Sequence, residues 1–266
     1  MKKVALVIIV LVIIAIAALF LLQSKEKTMQ QPAQIEVPLP TPQAQPEESV
    51  IRYPVPEAIS EETVEVPEPL PPLEQSDTTI QKRADALMGA DWLARWVRLD
   101  DIARRFVVTI DNMTRSKLPQ KYALGKSPDN SFLVKGNGNE TYHIDLANYE
   151  RYNNFINLFT AVETSKLVKT YSYFYPLFQE VYSGLGYPDA YFNDRLIEVI
   201  DHLLAMPNVE QPVKLVRPKV YYQFADARLE ALSAGQKLLI RMGPENATKL
   251  KTKLQELRKQ LAQKPG

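Results

Sequence analysis

The chain has 266 residues, of which 45% are hydrophobic, and a formal net charge of +1. It contains no cysteine, which excludes disulfide bonds, a cysteine nucleophile and thiolate metal sites. The charge is unevenly distributed, with about +3 over residues 1–35, −9 over 36–77 and +7 over 78–266. The basic surplus of the last section is too small and too dispersed to indicate nucleic-acid binding. We therefore expect three dissimilar parts and no nucleic-acid partner.

The N-terminal part, residues 1–22, is predicted to be a transmembrane anchor. Residues 4–22 form an unbroken run of 19 apolar residues, and a helix of that length spans roughly 28 Å, close to the hydrocarbon thickness of a bilayer. Lys2 and Lys3 precede the run, so the positive-inside rule places the N-terminus in the cytoplasm and the rest of the chain across the membrane. A cleaved signal peptide is the alternative, but the run is long for one and ends without a small-residue cleavage site.

Residues 23–79 are predicted to be a disordered, acidic, Pro-rich linker. Eleven of the 20 prolines lie between Pro32 and Pro72. Proline blocks helix formation, and repulsion between the carboxylates extends the chain further, so this stretch cannot bury enough apolar surface to fold. We interpret the linker as a spacer that holds the following domain away from the membrane. A ligand for Pro-recognising partners is the alternative.

Residues 80–266 are predicted to form one mostly helical globular domain. Apolar residues recur at three- and four-residue spacing, which predicts helices over 78–88, 99–117, 146–162, 164–184 and 191–205. Pro176 is expected to kink or split the fourth of these. Ser233 and Gly243 delimit a short helix over 234–242 after another over 226–232, and Pro244 begins a final helix striped with leucine.

Between the second and third predicted helices the periodicity changes. Glycine and asparagine collect there, and two short extended runs, 132–135 and 140–144, flank Gly-Asn-Gly-Asn. That pattern predicts a small β-hairpin, whereas residues 215–224 remain ambiguous. The predicted fold class is thus mainly α: an anchor, a linker, and a compact multi-helix domain with a possible hairpin.

The strongest cluster of polar residues falls on one face of the predicted helix over 191–205. Its members are Asp194, Arg195, Glu198, Asp201 and His202. Three carboxylates so close together repel each other unless a cation or water relieves them. An acid/base or divalent-metal site is one interpretation. The alternative, which we favour, is the solvated face of an amphipathic helix, so no catalytic residue is assigned.

Two further clusters are basic. Arg217, Lys219 and Tyr222 lie in LVRPKVYYQFAD, where cations alternate with aromatic rings; they could bind a carboxylate, phosphate or sugar, or form internal ion pairs. The last helix carries Lys249, Lys251, Lys253, Arg258 and Lys259, either as a solvated face or for docking onto an acidic surface. No phosphate, dinucleotide or metal motif is complete, and two histidines exclude a three-His site. We expect neither a cofactor nor a metal.

Four segments of the chain carry a resemblance to a known family. They are ARRFVVTIDN, YPLFQEVYSGLGYPDAYFNDRLIEVIDHLLAMP, LVRPKVYYQFAD and LEALSAGQKLLIRMGPEN. Together they resemble a family of bacterial envelope proteins known only as a domain of unknown function. The resemblance implies a single-pass protein of the Gram-negative inner membrane with a Pro-rich linker and a periplasmic domain. It supplies no activity, cofactor or catalytic residue.

Three functional hypotheses follow. The first, which we favour, is an envelope interaction or scaffold module that binds a protein or cell-wall partner and is not an enzyme. The second is an envelope hydrolase that uses carboxylates of the helix over 191–205. The third is a small-ligand sensor whose pocket is lined by the aromatic residues between 171 and 192.

Overall fold

The computed structural model describes residues 51–56, 69–127, 131–136 and 141–263. Ten α-helices fall within them: α1 (Ser76–Met88), α2 (Ala90–Trp96), α3 (Ile102–Asn112), α4 (Ala147–Glu150), α5 (Asn153–Ala161), α6 (Thr164–Gly184), α7 (Phe192–Leu204), α8 (Ala227–Glu230), α9 (Ala234–Met242) and α10 (Pro244–Leu261). None of these helices combines the length and hydrophobicity that a membrane crossing requires. The predicted anchor over residues 4–22 lies outside the described residues.

Helices α3, α6, α7 and α10 pack around a single main core. The leucine stripe predicted on the last helix supplies one wall of it, and Leu250, Leu254, Leu257 and Leu261 are fully buried. Burying a leucine side chain stabilises the folded state by about 1.5–3 kcal/mol. The helical periodicity of the sequence therefore identified the elements that hold this domain together.

Aromatic rings fill the centre of the main core. Phe178 on α6 contacts Phe106 on α3, Phe192 on α7 and Tyr171, with ring centroids 4.7, 6.3 and 5.8 Å away. Burial raises the pKa of Tyr171 well above its usual value, so its hydroxyl stays neutral. The aromatic residues that the sensor hypothesis placed around a pocket are thus packed against one another.

A four-stranded antiparallel sheet forms a second, smaller layer in the order β1–β2–β3–β4. Its strands are β1 (Val134–Gly136), β2 (Tyr142–Ile144), β3 (Lys214–Val216) and β4 (Gln223–Phe224). The predicted hairpin is confirmed as β1 and β2, and the ambiguous stretch 215–224 contributes the other two strands. One face of the sheet buries Ile144, Leu215 and Phe224 in a small core of its own.

Several predicted boundaries differ from the observed ones. The helix predicted over 146–162 is two helices, which are separated by a turn at Arg151 and Tyr152. The side chain of Asn148 bonds to both backbone groups of Leu133 and ties α4 to the segment before β1. The helix predicted over 99–117 is limited to Ile102–Asn112. Helix α6 continues through Pro176, which lies on its exposed side, so the predicted split does not occur.

Part of the predicted linker packs against the helical domain. Helix α1 begins at Ser76, two residues before the predicted start at 78 and inside the predicted linker, and residues 51–56 lie against α7. Apolar side chains within the Pro-rich text, among them Tyr53, Val55 and Leu70, are partly buried on the main core. The sequence did not predict these contacts, because the few apolar residues of this stretch are separated by many prolines and form no periodic pattern. The other residues of the stretch 23–68 lie outside the described part of the chain.

Candidate functional site

Helix α7 carries the polar cluster that the sequence singled out. Its apolar side, with Leu196, Ile200 and Leu203 fully buried, faces the main core. The opposite polar side is not simply solvated, because most of its charged residues contact a different element of the fold.

Asp194 binds the backbone of the segment formed by residues 51–56. Its two carboxylate oxygens accept hydrogen bonds from the N–H groups of Arg52, at 3.0 Å, and Tyr53, at 2.7 Å. The neighbouring Asn193 side chain donates to the carbonyl of Tyr53 at 2.9 Å, and the hydroxyl of Tyr191 accepts from Val55 N–H at 3.1 Å. We call Tyr191, Asn193 and Asp194 the backbone clamp.

Arg195 and Glu198 form a separate group beside the clamp. The Arg195 guanidinium donates to the buried carboxylate of Asp111 at 3.1 Å and to Thr114 at 2.8 Å, and it pairs with exposed Glu198 at 3.0 Å. Because it donates to α3 and to the residues that follow it, Arg195 joins α7 to that part of the fold.

Asp201 and His202 contact the helices that follow α7 in the chain. Asp201 accepts both hydrogen bonds of a bidentate pair with Arg258 on α10. The imidazole of His202 lies 2.8 Å from the hydroxyl of Ser233, the residue that caps α9 as predicted. Burial, with a contribution from Arg195, lowers the pKa of His202, which favours a neutral ring.

All five candidate residues lie on helix α7, as predicted. Each of the three carboxylates among them, however, contacts a different partner. Acid/base hydrolysis needs two carboxyl groups that are free to reach a substrate and differ in pKa. Asp194 is bound to backbone, Asp201 to Arg258 and Glu198 to Arg195. Among the described residues, no three histidine, aspartate or glutamate side chains group together as metal ligands.

The second cluster lies in the loop between β3 and β4. The guanidinium of Arg217 donates to the carbonyl of Val220 and lies 5.3 Å from the ring centroid of Tyr222, while Lys219 is exposed. Arg217 has no acidic partner among the described residues, so the internal ion pair that the sequence offered as one alternative is not formed there. Tyr222 packs on Tyr142 of β2, with ring centroids 5.1 Å apart.

The basic residues of the last helix act largely within the domain. Lys253 is buried and donates to the carbonyl of Val162, at the end of α5. Lys251 donates to the carbonyl of Met206, just after α7. Cations stabilise helix C-termini because the final carbonyl groups lack partners. The prediction of a solvated face is therefore wrong for Lys253.

Sequence reasoning missed a groove at the sharp turn between α9 and α10, which we call the elbow groove. It encloses about 560 Å³ and continues into a second hollow of about 280 Å³ beyond Gly243 and Pro244. Its walls combine apolar and amide side chains: Ile144, Leu146, Tyr149, Glu150, Asn153, Gln211, Pro212, Met242, Pro244, Glu245 and Asn246. These residues come from separate stretches of the chain, so no local motif marks them.

Polar groups in the elbow groove are oriented by hydrogen bonds. The hydroxyl of Tyr149 donates to the Gln211 side chain at 3.0 Å, and burial raises the pKa of Tyr149, which keeps that proton in place. Asn246 donates to the Tyr149 carbonyl at 3.0 Å, while its own buried side-chain oxygen accepts no hydrogen bond from the described residues. Lys249 lowers the pKa of Glu245 through a hydrogen bond, so this rim residue is charged.

Gly243 makes the elbow possible, and replacing it with alanine tests this. Its φ is +84° and its ψ is 161°, a region almost restricted to glycine. A Cβ there would come within 2.4 Å of the Tyr149 ring. We expect Gly243→Ala to lower the free energy of unfolding by about 2–3 kcal/mol, measured by urea denaturation followed by tryptophan fluorescence.

Two other glycines serve as controls for that substitution. Gly89 has a similar φ of +85°, but apart from its chain neighbours no heavy atom of the described residues lies within 4 Å of the place a Cβ would take, so Gly89→Ala isolates the backbone strain. Gly184 ends α6 without steric conflict, and alanine there should be neutral or slightly stabilising. Equal losses for Gly243→Ala and Gly89→Ala would contradict close packing of Tyr149 on the elbow.

The architecture is a helical domain with a small antiparallel sheet at one side and a groove where the two meet. The chain belongs to the family described as "protein of unknown function (DUF3014)", whose model matches residues 102–258. This match confirms the family resemblance drawn from the four sequence segments. No curated protein matches the chain, and no solved structure matches it either.

Proposed function

We propose that this protein is a binding module of the bacterial cell envelope, anchored in the inner membrane by residues 4–22 with its N-terminus in the cytoplasm and its helical domain in the periplasm. The apolar run and the two lysines before it support the anchor and its orientation. The elbow groove is the proposed binding site, and a segment of a partner protein is its proposed ligand.

The observation that carries this proposal is the open, mixed lining of the elbow groove. Binding pockets typically combine a mostly apolar wall with a few oriented polar groups, within about 300–1,000 Å³. Here Leu146, which is 63% exposed, offers apolar contact at the rim. The side chains of Asn153 and Gln211 offer donors and acceptors that suit peptide groups. Glu150 at the rim favours a neutral or basic segment over an acidic one, whereas the charge of Glu245 is paired with Lys249 at 2.8 Å.

A binding role also fits the α7 face better than hydrolysis does. Each carboxylate that the hydrolase hypothesis requires has a partner within the chain, and Asp194 has two hydrogen bonds to backbone. A general acid or base must come within hydrogen-bond reach of a substrate. Substrate could reach Asp194 only by displacing the segment that covers it.

Site-specific crosslinking in cells tests the proposal. A photoreactive residue replaces Leu146 in the full-length protein. The matched control carries the same residue at Leu185, a leucine that is 39% exposed just after α6 and does not line the elbow groove. We expect position 146 to capture one recurrent envelope protein that position 185 does not.

Binding measurements with the captured protein complete the test. The purified partner should bind Leu146→Glu at least tenfold more weakly than Leu185→Glu, because only the first substitution places a charge at the groove. Capture of cell-wall fragments alone would replace the protein ligand with a glycan or peptide of the wall. Identical products at both positions would overturn the groove as the site.

A further inference from the structure

We propose that the backbone clamp is a docking site for an extended peptide, that residues 52–55 are its ligand, and that the docked segment can detach from the folded domain. The clamp would then determine where the chain that comes from the membrane joins the domain. It lies at the start of α7, and none of its residues lines the elbow groove.

The hydrogen bonds account for every backbone donor in this segment. Residues 52–55 have three N–H groups, because Pro54 has none, and all three donate to the clamp. The carbonyl of Tyr53 accepts from Asn193. Recognition through backbone groups along an extended, Pro-containing chain is a recurring mode of peptide binding. Such a site binds a segment that is neither helical nor part of a sheet.

Asp194 is suited to this role by its position and its burial. It lies in the first turn of α7, where the helix dipole favours a negative charge, and it is only 9% exposed. A carboxylate so buried is costly unless donors satisfy it. The Arg52 side chain lies 3.7 Å away but is 62% exposed, so its contribution is small. The two backbone N–H groups are therefore the main partners.

Side chains of the segment add selectivity to the backbone contacts. Tyr53 and Val55 are partly buried against the main core. The hydroxyl of Tyr53 also contributes, after Asp201, to the raised pKa of Arg258. Asp194, which the sequence suggested for catalysis, thus binds this segment directly.

Docking would shorten the reach of the domain. With the segment docked, residues 23–51 separate the predicted anchor from the clamp, at most about 90 Å at 3.1 Å per residue in polyproline II geometry. With it detached, residues 23–68 lie between the predicted anchor and the next described residue, and the same spacing gives a reach of about 140 Å. This consequence rests on the proposed membrane anchor, whereas docking itself does not.

Limited proteolysis of the full-length protein in detergent micelles tests the docking. Arg52 is the only lysine or arginine between Lys27 and Lys82, so tryptic cleavage after Arg52 reports on this segment alone. A protease needs a free extended chain, and Tyr53 N–H at the cleaved bond is held by Asp194. We expect wild type to be cut after Arg52 much more slowly than after Lys27, with products identified by mass spectrometry.

Substitutions in the clamp should release the segment. Asp194→Asn removes the charge that strengthens two hydrogen bonds, and we expect cleavage after Arg52 to become at least about tenfold faster. Glu198→Gln, one turn away on the same helix, should leave the rate unchanged, because Glu198 pairs with Arg195 rather than with the segment. Tyr191→Phe, which removes only the acceptor for Val55 N–H, should give a smaller increase.

Cleavage after Arg195 and Arg258 monitors unfolding of the domain in the same digests. If Asp194→Asn also exposes those sites, Tyr191→Phe distinguishes release of the segment from unfolding of the domain. That variant keeps the aromatic ring at position 191 and the charge of Asp194. Rapid cleavage of wild type after Arg52, or rates unaffected by both clamp variants, would overturn the docking. Neither result bears on crosslinking at Leu146, so this inference and the proposed binding role of the groove can fail separately.

Discussion

Replacing Phe178 with alanine is expected to lower the free energy of unfolding by about 3–5 kcal/mol. Its ring is fully buried and contacts rings from α3 and α7 as well as from its own helix. The substitution removes apolar contact area and leaves a cavity between helices that are too well packed to close it. Urea denaturation of the full-length protein in detergent micelles, followed by the fluorescence of Trp92 and Trp96, measures the loss.

Tyr122→Ala provides the control for Phe178. Tyr122 is also aromatic but is 40% exposed, so its replacement should change the free energy of unfolding by no more than about 0.5 kcal/mol. A loss below about 1 kcal/mol for Phe178→Ala would contradict a tightly packed aromatic centre. It would also return support to the sensor hypothesis, which requires space among these rings.

Replacing Asp111 with alanine is expected to cost about 3–5 kcal/mol, because it leaves the Arg195 guanidinium without its buried carboxylate. The side chains of Asp111 and Arg195 are only 8% and 16% exposed. Arg195 also donates to the backbone carbonyl of Asp111 at 2.6 Å. This hydrogen bond keeps the charged guanidinium in the same place after the carboxylate has been removed. The same urea denaturation measures the effect.

Two further variants separate the contribution of the pair from the cost of breaking it. Glu198→Gln removes only the exposed partner of Arg195, and a change of at most about 0.5 kcal/mol is expected. The double variant Asp111→Leu with Arg195→Met should recover much of the stability lost in Asp111→Ala, because an apolar pair of similar size needs no desolvation of charge. Equal costs for Asp111→Ala and Glu198→Gln would contradict a structural role for Arg195.

The clamp and the pair of Asp111 and Arg195 change the interpretation of the α7 face. The sequence correctly placed its polar residues on the side of the helix away from the leucines and isoleucines. It could not show that a Pro-rich segment far earlier in the chain lies across Asp194, with contacts from Arg52 and Tyr53. A helical projection indicates the direction of a side chain but not the element that lies opposite it.

The sequence by itself determined the helices of the core, because a 3.6-residue period of apolar side chains is a local property. It also determined the cap at Ser233 and the turn at Gly243 and Pro244, where backbone geometry restricts the residue types. Only the tertiary structure decided the pairing of β3 with the predicted hairpin and with β4, the elbow groove and the clamp. Each of these depends on residues distant in the chain that meet because their apolar faces share one core, and no local pattern records which of them become neighbours.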